Sequence, residues 1–261
     1  MKKIDFPWQI RSKIRKGLWA KPTSGLAPGY AQANLVILDR NYAFDFLLFC
    51  QRNPKPCPVL EVIEPGQIEP RRTAPGADIR TDLPLYRVWE RGKLKEEVRE
   101  ISSFFNAGLV SFLMGCSFSF EEALIGAGIP IRNIDENKNV SMYITNRKCD
   151  PAGPFSAPLV VSMRPIPDKL VPRAVQITAR YALVHGAPVH IGNKKKLGIK
   201  DLGKPDFGDP VTIQKGEMPV FWACGVTSAL AALSAKSEIC ITHAPGHMFI
   251  TDIKNETLAV T

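Results

Sequence analysis

The sequence has no apolar run long enough to cross a bilayer, and its start lacks the hydrophobic core and small-residue cleavage site of a secretory signal. It also has no Cys-x-x-Cys pair and only four histidines. The first pair of absences argues against membrane insertion and export, and the second against finger-type zinc sites and thioredoxin-like redox centres. Several of the six cysteines (Cys50, Cys57, Cys116, Cys149, Cys224 and Cys240) sit in apolar runs, where a reduced thiol behaves as a small hydrophobe. No disulfide framework is expected, and a cytoplasmic home follows. There is no aromatic-interleaved basic stripe either. The formal charge is +9, but residues 1–21 hold Lys2, Lys3, Arg11, Lys13, Arg15, Lys16 and Lys21 against Asp5, so 7 − 1 = +6 of it belongs to that segment. Neither nucleic acid nor membrane is expected as a partner.

What is present is a soluble-enzyme composition. A length of 261 residues with 45% hydrophobic content can bury a sizeable core and is comfortable for two units. Phe6, Ile10, Ile14 and Leu18 recur at helical spacing, which predicts a docked amphipathic helix at the basic start.

The histidines are all in the last third of the chain. His243 and His247 flank an Ala-Pro-Gly turn expected to end a buried strand and reverse the chain, and His185 and His190 flank a second tight turn. Histidine exchanges protons near neutral pH, so all four are candidate acids and bases, against the plainer reading in which each bonds a turn carbonyl. Their spacing matches no protein-only zinc motif. A divalent cation held by them, with Asp206 or Asp209, remains open.

A strand, a turn with Cys, and a helix occur twice. The first copy runs from Leu109 to Leu124 through Gly115-Cys116-Ser117, with Ser119 and Glu122 spaced as a capping box. The second runs from Met218 to Leu233 through Cys224-Gly225-Val226-Thr227. A strand-to-helix turn exposes backbone N–H groups that suit an anion, and a helix start lowers a thiol pKa. Cys116 and Cys224 are therefore candidate catalytic groups, with Ser117, Gly225 and Thr227 as substrate contacts. The plainer reading is close helix–strand packing. Arg80, in the alternating Asp78-Ile-Arg-Thr-Asp82 stretch, and Arg164 suit a substrate carboxylate, against a solvated ion-pair face for the former.

Alternating strands and helices predict an α/β fold: a mixed, mainly parallel sheet flanked by helices over residues 1–128 and 210–261, with a smaller α+β unit inserted at 129–209. Glu96 to Phe105 reads as an amphipathic helix in the main unit.

Gly29-Tyr-x-Gln-Ala-Asn-Leu35, Phe44 to Pro58, Asp78-Ile-Arg-Thr-Asp-Leu-Pro84, Gly115-Cys-Ser-Phe118, Ser162-Met-Arg-Pro165, Val184 to Gly192, Phe221 to Thr227 and Thr242 to Asp252 closely resemble the hydro-lyase family that includes the cyclase-like region of mammalian D-glutamate cyclase. The resemblance runs from about Arg11 to Asp252. It implies a lyase in amino acid metabolism that closes D-glutamate to 5-oxo-D-proline plus water, with a small carboxylate-bearing substrate and no established cofactor. The paired cysteines leave a two-thiol racemase or epimerase open, and a non-catalytic ligand-binding protein is the third class. A homo-oligomer is also open.

Overall fold

The computed structural model describes residues 6–260. In chain order the helices and strands are α1 (Pro7–Arg15), β1 (Tyr30–Asp39), α2 (Arg40–Arg52), β2 (Val59–Ile63), β3 (Tyr86–Glu90), β4 (Lys93–Val98), β5 (Leu109–Gly115), α3 (Phe118–Gly126) and α4 (Arg132–Asp135). They continue with β6 (Ser141–Lys148), β7 (Pro158–Pro167), α5 (Val171–Ala179), β8 (His190–Ile191), β9 (Glu217–Ala223), α6 (Val226–Ser234), β10 (Cys240–His243) and β11 (Phe249–Lys254).

Two antiparallel sheets organise the chain, which corrects the expectation of a mainly parallel one. The larger has the order β2-β5-β1-β10-β3-β4 with β11 also on β1, and the smaller has the order β6-β7-β9-β8. Each pairing among the described residues is antiparallel. The strand–helix alternation misleads because its crossovers do not return to a neighbouring strand. The β1–α2–β2 crossover joins strands of like direction, but β5 lies antiparallel between them. The segment after β5 and α3 enters the smaller sheet, and the one after β9 and α6 returns to the larger.

β1 is the axis of the larger sheet. All eight residues between its ends are buried, with Leu35 and Ile37 in one core and Val36 and Leu38 in another, as alternation on a two-sided strand requires. α6 packs on β1 and β10 on one side and on β7 on the other, so it joins the two sheets.

Three local expectations also change. The stretch expected as a helix from Glu96 instead begins inside β4, an edge strand. Arg91 and Gly92 both take positive φ, 49° and 77°, and this hairpin turn pairs Lys93 with Glu90. Ser119 does not cap α3; Ser117 holds the cap position, and the Ser119 hydroxyl is used elsewhere. The Ala-Pro-Gly turn does not reverse the chain. β10 pairs with β1 at residues 36–38 and β11 pairs with it at residues 30–33, both antiparallel, so the two run one after the other along β1. Residues 244–248 are an unpaired excursion between them, with Ala244 and Met248 buried. α1 docks through Ile10 and Ile14, while Phe6 and Leu18 stay exposed. It is fastened by paired bonds from Arg11 to Asp252 (3.0 and 2.9 Å) and by an ion pair from Arg15 to the buried Asp82.

Candidate functional site

The two Cys-bearing turns are built alike and meet at Asn34. In the first, the Cys116 N–H donates to the Gln32 carbonyl (3.1 Å), and the Gln32 N–H donates to the Ser119 hydroxyl (3.1 Å). In the second, the Cys224 N–H donates to the Val160 carbonyl (3.0 Å), and the Val160 N–H donates to the Thr227 hydroxyl (3.0 Å). A hydroxyl three residues after each cysteine thus locks the turn to a strand of its own sheet. The buried Asn34 amide donates to the Gly115 carbonyl at 2.9 Å and lies flat against Gly225, where a Cβ would stand 2.1 Å from it. Glycine at 225 is required by that approach.

Around this junction Cys116, Phe118, Cys224 and Val226 share one apolar cluster and are all buried, with 7, 8, 8 and 6% exposure. The Phe118 N–H is directed at the Cys116 sulfur and the Val226 N–H at that of Cys224. The N–H groups of Ser117 and Gly225 have no acceptor among the described residues. Burial outweighs the two directed N–H groups and pushes the Cys116 thiol up to about 12 and the Cys224 thiol to about 11. Against the expectation from a helix start, both are thiols near neutral pH, not thiolates.

Arg164 is fully buried beside the first turn. Its Nε donates to Glu121 Oε1 (3.0 Å), one terminal nitrogen donates to the Ser162 hydroxyl (3.1 Å), and the other donates to the Ser117 hydroxyl (3.1 Å) and to Glu121. The guanidinium lies 5.3 Å from the Phe120 ring centre and 5.6 Å from that of Trp222. Burial raises the Glu121 carboxyl above its usual range, partly offset by the Arg164 charge. Arg164 therefore fixes the Ser117 turn of one sheet to β7 of the other.

The four histidines do not converge. His185 is buried in the left-handed region (φ 85°), and its Nδ1 bonds the Lys55 carbonyl at 2.8 Å. With a proton on Nδ1 for that bond, Nε2 carries a lone pair, and Nε2 is buried without a partner. Burial lowers this imidazole to about 4, and the Arg164 charge adds to the depression. The preceding Leu183 and Val184 press on Gly115, where a Cβ would stand 2.1 Å from the Leu183 carbonyl, so His185 belongs to the same neighbourhood as the first turn.

His243 sits where β1 passes from β10 to β11. Its Nδ1 lies 3.2 Å from the Leu35 N–H and 3.3 Å from the Leu35 carbonyl, filling the gap in the ladder. Burial lowers it to about 4. It lines a shallow cleft with Arg87, Trp89 and Val226, on the far flank of the second turn. His247 bonds the Pro245 carbonyl (3.1 Å) within the excursion. His190 bonds the Asn193 carbonyl (2.8 Å) on the outer strand of the smaller sheet. Arg80 is held by Asp78 in its own turn (3.0 and 2.8 Å), away from the junction. Among the described residues no group of three or more His, Cys, Asp or Glu side chains could hold a metal ion, and Asp206 and Asp209 bond backbone N–H groups of Ile144 and Asn139.

A model of the family described as D-glutamate cyclase matches residues 110–252, from β5 through both turns to β11. The chain belongs to the D-glutamate cyclase family. Members similar to it include a protein of Syntrophobacter fumaroxidans named "Putative hydro-lyase", 69% identical over 256 residues, 98% of each chain. One from Stutzerimonas stutzeri with the same name is 59% identical, covering 97% of this chain and 96% of its own. "Putative hydro-lyase YcsI" of Bacillus subtilis is 59% identical, covering 97% and 99%. The family model covers both Cys turns but begins after Asn34, while the similarity to these relatives covers nearly the whole chain. No helix among the described residues is long and apolar enough to cross a membrane.

Sequence reasoning missed Asn34, Gln32 and Glu121. Asn34 and Gln32 stand in an otherwise apolar strand, Tyr30-Ala-Gln-Ala-Asn-Leu-Val-Ile-Leu38, and buried amides there are a signal that such a strand carries more than packing.

Proposed function

We propose that this chain is a hydro-lyase acting on a small carboxylate-bearing amino acid, with closure of D-glutamate to 5-oxo-D-proline plus water as the preferred reaction. The observation that carries the reading is the pair of turns meeting at Asn34, each with an N–H that has no acceptor among the described residues, and with the segment that leads into the neutral His185 packed on the first.

Cyclisation makes three demands. The substrate ammonium must lose a proton to become a nucleophile, the amine must be held against the distal carboxyl carbon, and the tetrahedral oxyanion needs preorganised donors. In this reading His185 Nε2 takes the ammonium proton as the C–N bond forms. The Ser117 and Gly225 N–H groups receive the oxyanion, as unsolvated donors that need no reorganisation. The C–O bond then breaks. The departing oxygen leaves as water with two protons, both drawn from the original ammonium, and the lactam nitrogen keeps the third. His243 is the second candidate proton carrier, from the opposite flank. The apolar side chains clustered around the two turns limit competing water.

The racemase alternative requires one cysteine as a thiolate facing the other as a thiol. Burial holds both protonated, which favours cyclisation over it.

Purified protein given D-glutamate should release 5-oxoproline, followed by chromatography. Cys116→Ser and Cys224→Ser should each slow the reaction by about tenfold or less, since a serine keeps the backbone donors. Absence of turnover, or near-complete loss in either serine variant, would count against the backbone-donor role.

A further inference from the structure

The face made by α3 and α5 is apolar at its centre and divided in charge at its ends. Small residues leave a furrow of about 460 Å³ there, with Ala123, Gly126 and Ala127 on α3 opposite Gln176, Ile177 and Tyr181, and a Cβ at Gly126 would meet nothing within 4 Å. Past Ala123 and Tyr181 the furrow continues into a hollow of about 420 Å³, bounded by Gly29, Glu122 and the start of the helical turn Asn255–Leu258. Exposed apolar side chains gather around it. Ile125, one turn on from Glu122, is 50% exposed, and Leu183, in the turn that packs on Asn255–Leu258, is 47% exposed. Val260 is 58% exposed, and its N–H donates to the Arg180 carbonyl (2.8 Å). Such side chains need no explanation when scattered singly, but grouped around a furrow they mark a surface that another molecule covers.

The charges decide which molecule. Arg173 and Arg180 edge the furrow, both exposed, and neither has a carboxylate partner among the described residues; the Arg180 Nε donates to the Val260 carbonyl (3.2 Å). The hollow at the other end carries Glu122 and Glu256 against Lys254. Glu122 accepts from the Asn255 amide (3.1 Å) and has no cation beside it among the described residues, and Glu256 stands 3.7 Å from Lys254. One half is therefore +2 and the other 1 − 2 = −1. With +9 on the chain, two copies repel at long range, so a contact between them needs local charges of opposite sign. This face supplies both signs. A two-fold axis near Ala123 and Tyr181, where the halves join, turns the cationic half of one copy onto the anionic half of the other, twice.

We propose that this face is the contact between two copies of this chain in a symmetric dimer, with Arg173 and Arg180 of each copy facing the partner's Glu122 and Glu256. The apolar side chains between them are closed from water, and the charged ends form the rim. The contact does not depend on the reaction assigned to the paired turns.

Sedimentation velocity of the full chain at micromolar concentration should show a dimer. The double variant Arg173→Glu with Arg180→Glu makes both halves anionic, and Glu122→Lys with Glu256→Lys makes both cationic. Each alone should sediment as a monomer, its self-association weakened by about a hundredfold or more, because like charges now face each other. An equimolar mixture of the two should recover the dimer, since each variant supplies the charges that the other has lost. All four side chains are exposed, so both variants should melt within about two degrees of the parent. A monomeric parent, a dimer that survives either double variant, or a mixture that stays monomeric overturns the proposal, and the second of these places the contact between copies on another face. Because mass is read without turnover, none of these outcomes bears on the paired turns.

Discussion

Arg164→Ala is expected to destabilise the protein by about 3–5 kcal/mol, because it strands a buried carboxylate without its partner. Glu121 is 3% exposed, its hydrogen-bonded cation is Arg164, and the guanidinium also packs against the touching Phe120 and Trp222 rings. Removing it leaves a cavity, an unpaired acid and a Ser117 hydroxyl without its donor. Thermal unfolding should fall by roughly 10 °C for a domain of this size. The double change Arg164→Met with Glu121→Leu should recover much of the loss, since replacing both partners by apolar groups removes the desolvation cost together with the attraction. A single Arg164→Ala variant that melts within a degree or two of the parent would mean that this pair does not fasten the two sheets together.

His185→Gln is expected to lower turnover of D-glutamate by about 10²- to 10⁴-fold, the usual contribution of a positioned general base. His185 also holds a positive φ that costs any non-glycine residue of order 1–3 kcal/mol, a cost glutamine keeps, and the glutamine amide can still donate to the Lys55 carbonyl, so the substitution should leave stability nearly unchanged. The pH profile supplies a signature. With the imidazole lowered to about 4, Nε2 is free over the neutral range, so turnover should stay level and fall only as pH drops towards that value. Stability follows the same groups. His185 and His243 stand at about 4 when folded, below their ordinary 6.5, so the unfolded chain binds more protons between those values. Their contribution is fully present above pH 6.5 and is lost as pH falls through 4, on the order of 3 kcal/mol each. A variant with full activity would return His185 to the role of a histidine satisfied by the Lys55 carbonyl.

The legible and illegible parts of this protein separate along a physical line. Local features are readable: the amphipathic α1 and both Cys turns follow from periodicity and breakers. Pairing direction is not. A strand followed by a helix looks the same in sequence whether the next strand joins the same sheet or another, and here β5 sits between β1 and β2 while the β9–α6 unit changes sheets. The histidines show the same limit. Their turns are legible, but only the ladder of β1 shows that β10 and β11 follow one another along one strand, with His243 bonded into the gap at Leu35 and His247 in the loop between them. Arg164, by residue type, suits a substrate carboxylate. The carboxylate it holds is Glu121, forty-three residues away in sequence and invisible to local pattern.

The measurement closest to the central claim follows the hydrogen on Cα of D-glutamate in heavy water. Cyclisation joins the amine to the distal carboxyl carbon and leaves the Cα–H bond intact, whereas exchange between two thiols removes that hydrogen and returns one from solvent. The account predicts 5-oxoproline that carries no deuterium at Cα by mass spectrometry and retains the D configuration. Deuterium at Cα, in product or in recovered substrate, would contradict it and place the chemistry on Cys116 and Cys224.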